Sequence, residues 1–137
     1  MVERHASETP LAWLTLLSTS LHFILETWYH LTWGQPLQAL IVDYICVALM
    51  VFGAVASLRL RPRSAAGLLA TGWAFALGFG WRSGFGRLEL RNSGADNVQG
   101  EADFVLPIVM ASLAFVVIGL LWSLWLTWRQ ARGVPDR

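Results

Sequence analysis

Charge is what this sequence has least of. Only 14% of its 137 residues are acidic or basic, where a soluble domain carries about a quarter. Lysine is absent, so all ten Lys/Arg positions are arginine, and we read no function into that. The formal net charge of +1 excludes the broad basic field that gathers nucleic acid. A single cysteine, Cys46, excludes an internal disulfide, and no paired-cysteine metal motif or haem-attachment motif is present. Cys46 lies in an apolar run, where a free thiol behaves as a small hydrophobe. The opening MVERHASETP carries acidic residues where a signal peptide would be basic, and the apolar run behind it is too long for an h-region. It reads as an uncleaved first helix.

Apolar and aromatic residues fill the space that charge leaves. They make up 55% of the chain, eight of them tryptophan, and the mean hydropathy is +0.52. Indole favours the membrane–water interface. The expected class is an all-α integral membrane protein, of a bacterial-type inner membrane.

A bilayer core needs about 20 apolar residues in helix. Four stretches meet or approach that length: 11–33, 37–58, 64–81 and 104–128. Thr9-Pro10 and Pro36 mark the first two starts, and Ser64 and Asp103 are candidate N-caps for the others. Gly34-Gln35-Pro36 predicts a tight turn joining the first two spans. No repeat or soluble domain is visible, so residues 1–137 are expected to form one four-helix membrane bundle. Arginines near the helix ends set its orientation. Arg4, Arg59, Arg61, Arg63, Arg129, Arg132 and Arg137 fall on one side. Arg82, Arg87 and Arg91, offset by four acidic residues, fall on the other. Both termini are therefore expected to be cytoplasmic, with the 83–103 loop outside. Trp122, Trp125 and Trp128 fit the cytoplasmic aromatic belt.

The third span carries two rows of small residues at four-residue spacing: Ala70, Ala74, Gly78, and Gly72, Ala76, Gly80, Gly84. Small residues let backbones approach closely where lipid supplies no hydrophobic drive. Two such rows predict a helix sandwiched between neighbours.

The segment LHFILETWYHLTW, residues 21–33, raises the functional question. At 100° per residue Thr15, Ser18, Thr19, His22, Glu26, Tyr29 and His30 share one side of the first helix. Facing lipid, a central charged group there would cost about 2.5–3.5 kcal/mol. The stripe must face protein or water. Counted from Trp33, Glu26 lies roughly 10 Å deep and His22 near mid-membrane. Asp43, counted from Pro36, reaches the depth of Glu26, and Arg82 ends the third span on that side. The aromatics Trp28, Tyr29, Trp33 and Tyr44 sit at similar depth.

A carboxylate and an imidazole four residues apart can hold one proton between them, the equipment of acid–base chemistry or proton-coupled transport. The bland alternative is a polar network that only fixes helix packing, with Arg82 neutralising Asp43. A metal site is not expected. His22 and His30 lie about 12 Å apart along the axis, so zinc would need Asp43 or a second subunit. No cofactor is expected either. In the loop, Arg87 to Arg91 alternate as in a short strand or flap, Gly84 and Gly86 could hinge it over the cluster, and 92–102 read as solvated connector.

The segment HFILETWYH resembles the emopamil-binding family of sterol isomerases, in which a membrane helix carries His, three residues, Glu, then an aromatic pair. The next helix there begins with an acidic, aromatic-rich stretch, as VDYICV does here. A related branch is a four-helix bundle whose carboxylate-lined cavity binds sterol-like ligands. The likeness covers residues 21–50. It implies that His22 and Glu26 shuttle a proton. The second helix lacks the deeper glutamate of the isomerases, and the third and fourth helices offer no further match.

Three readings compete. One is an outward-opening pocket for a lipophilic small molecule, with His22 and Glu26 as acid–base groups and Trp28, Tyr29, His30, Trp33, Asp43, Tyr44 and Arg82 lining it. Another is a small dimeric transporter using Glu26 and Asp43 as proton or cation sites. The last is an accessory subunit of a larger membrane complex. Clustering of aromatics with charges in one half favours the pocket.

Overall fold

A computed structural model describes residues 8–59, 64–94 and 101–133, the last segment's side chains from Phe104 onward. These residues form four helices and no strand. They are α1 (Glu8–Trp33), α2 (Leu37–Arg59), α3 (Ala66–Asn92) and α4 (Glu101–Ala131). Two segments, Leu37–Arg59 and Phe104–Ala131, are long and apolar enough to cross a membrane. All four helices turn large apolar side chains outward, among them Leu17 and Leu31, Phe52, Trp81, and Leu121.

Local chemistry sets the breaks. Pro10 sits in the first turn of α1, where its missing N–H costs nothing. Gly34 ends α1 at φ +71°, a conformation open to glycine at little cost, and its N–H donates to the His30 carbonyl at 3.0 Å. Pro36 then opens α2, completing the expected hairpin. The third helix departs most from expectation. Instead of ending near 81, α3 continues through Arg87–Arg91 to Asn92, so that stretch is neither strand nor flap. Consecutive helical hydrogen bonding outweighs a two-residue alternation only five residues long. Asp103 falls inside the first turn of α4 rather than ahead of it. Residues 60–63 and 95–100, which hold parts of two predicted loops, lie outside the described residues.

One buried polar knot fixes the antiparallel arrangement. Glu8, only 3% exposed, accepts from the Ala65 N–H at 2.9 Å, the Ser64 hydroxyl at 2.9 Å and the Gln130 amide at 3.2 Å. A carboxylate from α1 thus caps the start of α3 beside the end of α4, where backbone N–H groups are otherwise unsatisfied. The N-cap position itself falls to Ala65, one residue after the expected Ser64, whose hydroxyl still accepts from the Ala66 N–H at 3.1 Å.

Above this knot the core packs around Trp73, which is 1% exposed. Its indole donates to the Thr15 hydroxyl at 3.2 Å, and Gly119 faces the ring so closely that a Cβ there would lie 2.6 Å away. Of the two small-residue rows on α3, one packs. A Cβ at Gly72 would meet the Met50 backbone at 3.1 Å, and one at Gly84 would meet Val109 at 3.3 Å. Hence α3 lies between α2 and α4, the expected sandwich, but a single row makes the close approaches to both neighbours. The other row does not contribute: Ala74 and Gly78 are exposed. Three neighbouring pairs pack extensively, whereas α1 and α4 touch far less. That thin seam makes room for the site.

Candidate functional site

Between α1 and α4 lies a cavity of about 520 Å³, within the range of small-molecule sites. Its floor and back are apolar: Leu14, Met50, Trp73, Phe79, Val109 and Phe115 line it. Leu17, Leu21 and Trp28 of α1 and Phe104 and Ile108 of α4 line it too, yet remain exposed. The rim therefore runs along the flank of the bundle. At the Trp33 end the cavity is roofed by rings. Phe104 lies 6.1 Å from Trp28 and 6.3 Å from Trp33, and Trp33 lies 5.2 Å from Tyr29.

The polar wall comes from α1, where His22 and Glu26 line the cavity. Spacing of four residues stacks them on one face, with His22 Nδ1 3.9 Å from Glu26 Oε1. Behind them, α2 brings Asp43 to 3.5 Å from His22 Nε2. Asp43 is fully buried. Its Oδ2 accepts from the Gln35 amide at 3.0 Å, while Oδ1 and His22 Nε2 are both buried without a hydrogen-bond partner. The three side chains form a compact cluster, one nitrogen or oxygen of each lying within 4.8 Å of those of the other two, with the Asp43 carboxylate shielded and His22 and Glu26 at the cavity wall. Such a cluster can orient the ring from behind and present Glu26 and His22 to a ligand.

The stripe on α1 does face inward: Thr15 and Thr19 are buried and His22 and Glu26 half-buried. Trp28 and Tyr29 line the cavity, whereas Trp33 stacks against Trp28, Tyr29 and Phe104 without lining it. His30 is elsewhere, its Nδ1–H donating to the Gln35 carbonyl at 2.9 Å and tying the hairpin turn. Tyr44 is also outside the cavity, its hydroxyl 3.0 Å from that of Thr27 and its ring 5.1 Å from Phe23. Arg82 does not neutralise Asp43. It is exposed, and the carboxylate meets Gln35 and His22 instead.

Arg87 is the guanidinium that reaches the site. It lines the cavity, donates to the Tyr29 hydroxyl at 3.1 Å and lies 4.9 Å from the centre of that ring, a cation–π distance. A signal for it existed. Arg87 lies three residues beyond Gly84, the last of the row Gly72, Ala76, Gly80, Gly84, and so on the same side of the helix, provided the helix continues. For Gln35 and Phe104 no spacing pointed to the site. The chain matches no protein-family model, no curated protein and no solved structure.

Proposed function

We propose that this protein binds a lipophilic small molecule in the α1–α4 cavity and acts on its polar group through His22 and Glu26. One observation carries the reading: an apolar cavity of about 520 Å³ has, among the described residues, its ionisable lining confined to His22, Glu26 and Arg87. Apolar walls would hold a hydrocarbon body, and a few convergent polar groups would orient its head. The apolar rim on the flank suits entry from the bilayer rather than from water. Acid–base work of the isomerase kind is the chemistry that a neighbouring His22 and Glu26 would perform, and the likeness of HFILETWYH points the same way.

On this reading all four helices cross a bacterial-type inner membrane with both termini cytoplasmic. The belt is consistent with that: Arg129 sits 4.8 Å over Trp125 and Arg132 4.0 Å over Trp128, a pairing suited to the headgroup region. Transport is the less favoured reading. A path across the bundle would have to pass Trp73 and the closed knot of Glu8, Ser64 and Gln130.

The test is photolabelling in nanodiscs with a diazirine-bearing long-chain alcohol, mapped by peptide mass spectrometry. Labels should concentrate on cavity-lining residues of α1 and α4, and Ala76→Phe, which projects a ring into the cavity, should suppress them. A same-length hydrocarbon probe should label less, and Glu26→Gln should erase that difference. Uniform labelling around the bundle, unchanged by Ala76→Phe, would overturn the proposal.

A further inference from the structure

We infer that His22, Glu26 and Asp43 form a binding site for one divalent metal ion of the zinc class. One ligand atom from each of the three lies within 4.8 Å of the other two. Zinc held by imidazole and carboxylate at about 2.1 Å in a tetrahedron sets its ligand atoms about 3.4 Å apart. The 3.5 Å between His22 Nε2 and Asp43 Oδ1 already matches. Glu26, which lines the cavity, brings the third ligand atom within the same 4.8 Å.

A second observation points into the same spot. Asp43 has a side chain 1% exposed, and its Oδ1 faces His22 Nε2 across 3.5 Å, yet both atoms are buried without a hydrogen bond. Buried polar atoms in folded proteins are nearly always satisfied. An ion between these two satisfies both. The other oxygen of Asp43 is held by the Gln35 amide at 3.0 Å, the kind of outer contact that orients a metal-ligating carboxylate. One imidazole nitrogen and two carboxylate oxygens suit zinc, manganese or ferrous iron and do not suit a soft ion such as Cu(I). Three protein ligands leave a fourth position open, as in catalytic rather than structural zinc sites. That His22 and Glu26 line the cavity turns this position toward it. Ion binding needs the cluster alone; its use, to hold a ligand's oxygen, rests on the pocket reading above, and with the ion bound His22 and Glu26 act as its ligands in place of free acid–base groups.

The experiment is calorimetric titration of chelator-stripped, detergent-solubilised protein with zinc chloride, and with magnesium chloride as control. Zinc should bind saturably at one ion per chain, and magnesium should not. His22→Gln and Asp43→Asn should each abolish that binding, and Gln35→Ala should weaken it by about tenfold or more. X-ray absorption at the zinc edge of the unmutated protein should show nitrogen and oxygen neighbours and no sulfur, which decides the matter even where a variant fails to fold. Absence of saturable binding, sulfur in the first shell, or undiminished affinity in Asp43→Asn overturns the inference. Photolabelling of the stripped protein separates the two proposals. Normal labelling without zinc affinity removes only the metal site, and zinc affinity without cavity labelling removes only the pocket.

Discussion

Adding one methyl group at Gly119 tests the packing that shapes the cavity. The new Cβ would lie 2.6 Å from Cδ2 and Cε2 and 2.7 Å from Cε3 of Trp73, where ordinary contact begins at 3.4 Å. The ring must retreat by about 0.8 Å. It has little freedom to do so, because it is 1% exposed, lies 5.8 Å from the Phe115 ring and is tethered through its indole N–H to Thr15. Overpacking of this kind costs about 1–3 kcal/mol, and loss of the tether adds about 1 kcal/mol. Gly119→Ala should therefore destabilise the bundle by about 2–4 kcal/mol. Unfolding in a denaturing detergent titration, followed by circular dichroism, measures it. Gly78→Ala is the matched control, since its Cβ meets nothing within 4 Å. It should be neutral or gain up to about 1 kcal/mol from the reduced entropy of the unfolded chain. Trp73→Phe should recover part of the Gly119→Ala loss in a double-mutant cycle. If Gly119→Ala and Gly78→Ala prove equally stable, α3 and α4 do not pack as described.

The remaining predictions concern charge, capping, access and orientation. Arg82→Ala should change stability by no more than about 0.5 kcal/mol, because the side chain is exposed and unpaired with Asp43; a loss of several kcal/mol would restore the Arg82–Asp43 pair. Glu8→Ala should cost about 1–2 kcal/mol by uncapping α3, read in the same unfolding titration. Cys46, 2% exposed, should resist maleimide in the folded protein and react fully once unfolded, and rapid labelling of the native state would contradict its placement. In a Cys46→Ser background, His5→Cys should be shielded from an impermeant reagent applied to intact cells and Ala95→Cys labelled. The reverse pattern would invert the proposed topology.

Periodicity made the helices, the first hairpin and the inward stripe legible, because the i, i+4 rule depends only on helix geometry. It also placed Asp43 at the level of Glu26, since both depths were counted from the shared turn at Gly34–Pro36. Pairing between sequence-distant helices was not legible in that way. Depth alone brought Arg82 and Asp43 together, but depth says nothing about rotation, and Arg82 lies on the outer face of α3. Gln35 illustrates a second limit. Read as a turn residue, it also satisfies a buried carboxylate, a role set by how the hairpin folds back. His30 and Tyr44 show the converse: residues of the right chemistry and depth serve the α1–α2 junction, one tying its turn and the other its seam.

The unequal hydropathy of the four helices follows from the same site. Only α2 and α4 are apolar enough throughout to qualify as spans by composition, yet α1 presents Trp13, Leu17, Leu21, Ile24 and Leu31 outward. What lowers its mean is the inward row of Thr15, Ser18, Thr19, His22 and Glu26. On the membrane reading proposed above, a largely apolar outer face, interrupted by the exposed Ser20 and Thr32, is what a bilayer would require of a helix whose ionisable groups face inward. For α3 the cause differs. Its last eleven residues carry Arg82, Arg87, Glu89 and Arg91, so charge collects where the helix runs past the apolar stretch. Of these four, Arg87 alone lines the cavity, at the roof beside Tyr29. In both helices, the residues that depress hydropathy include those that build the site, and average hydropathy therefore understates the helices that matter most to it.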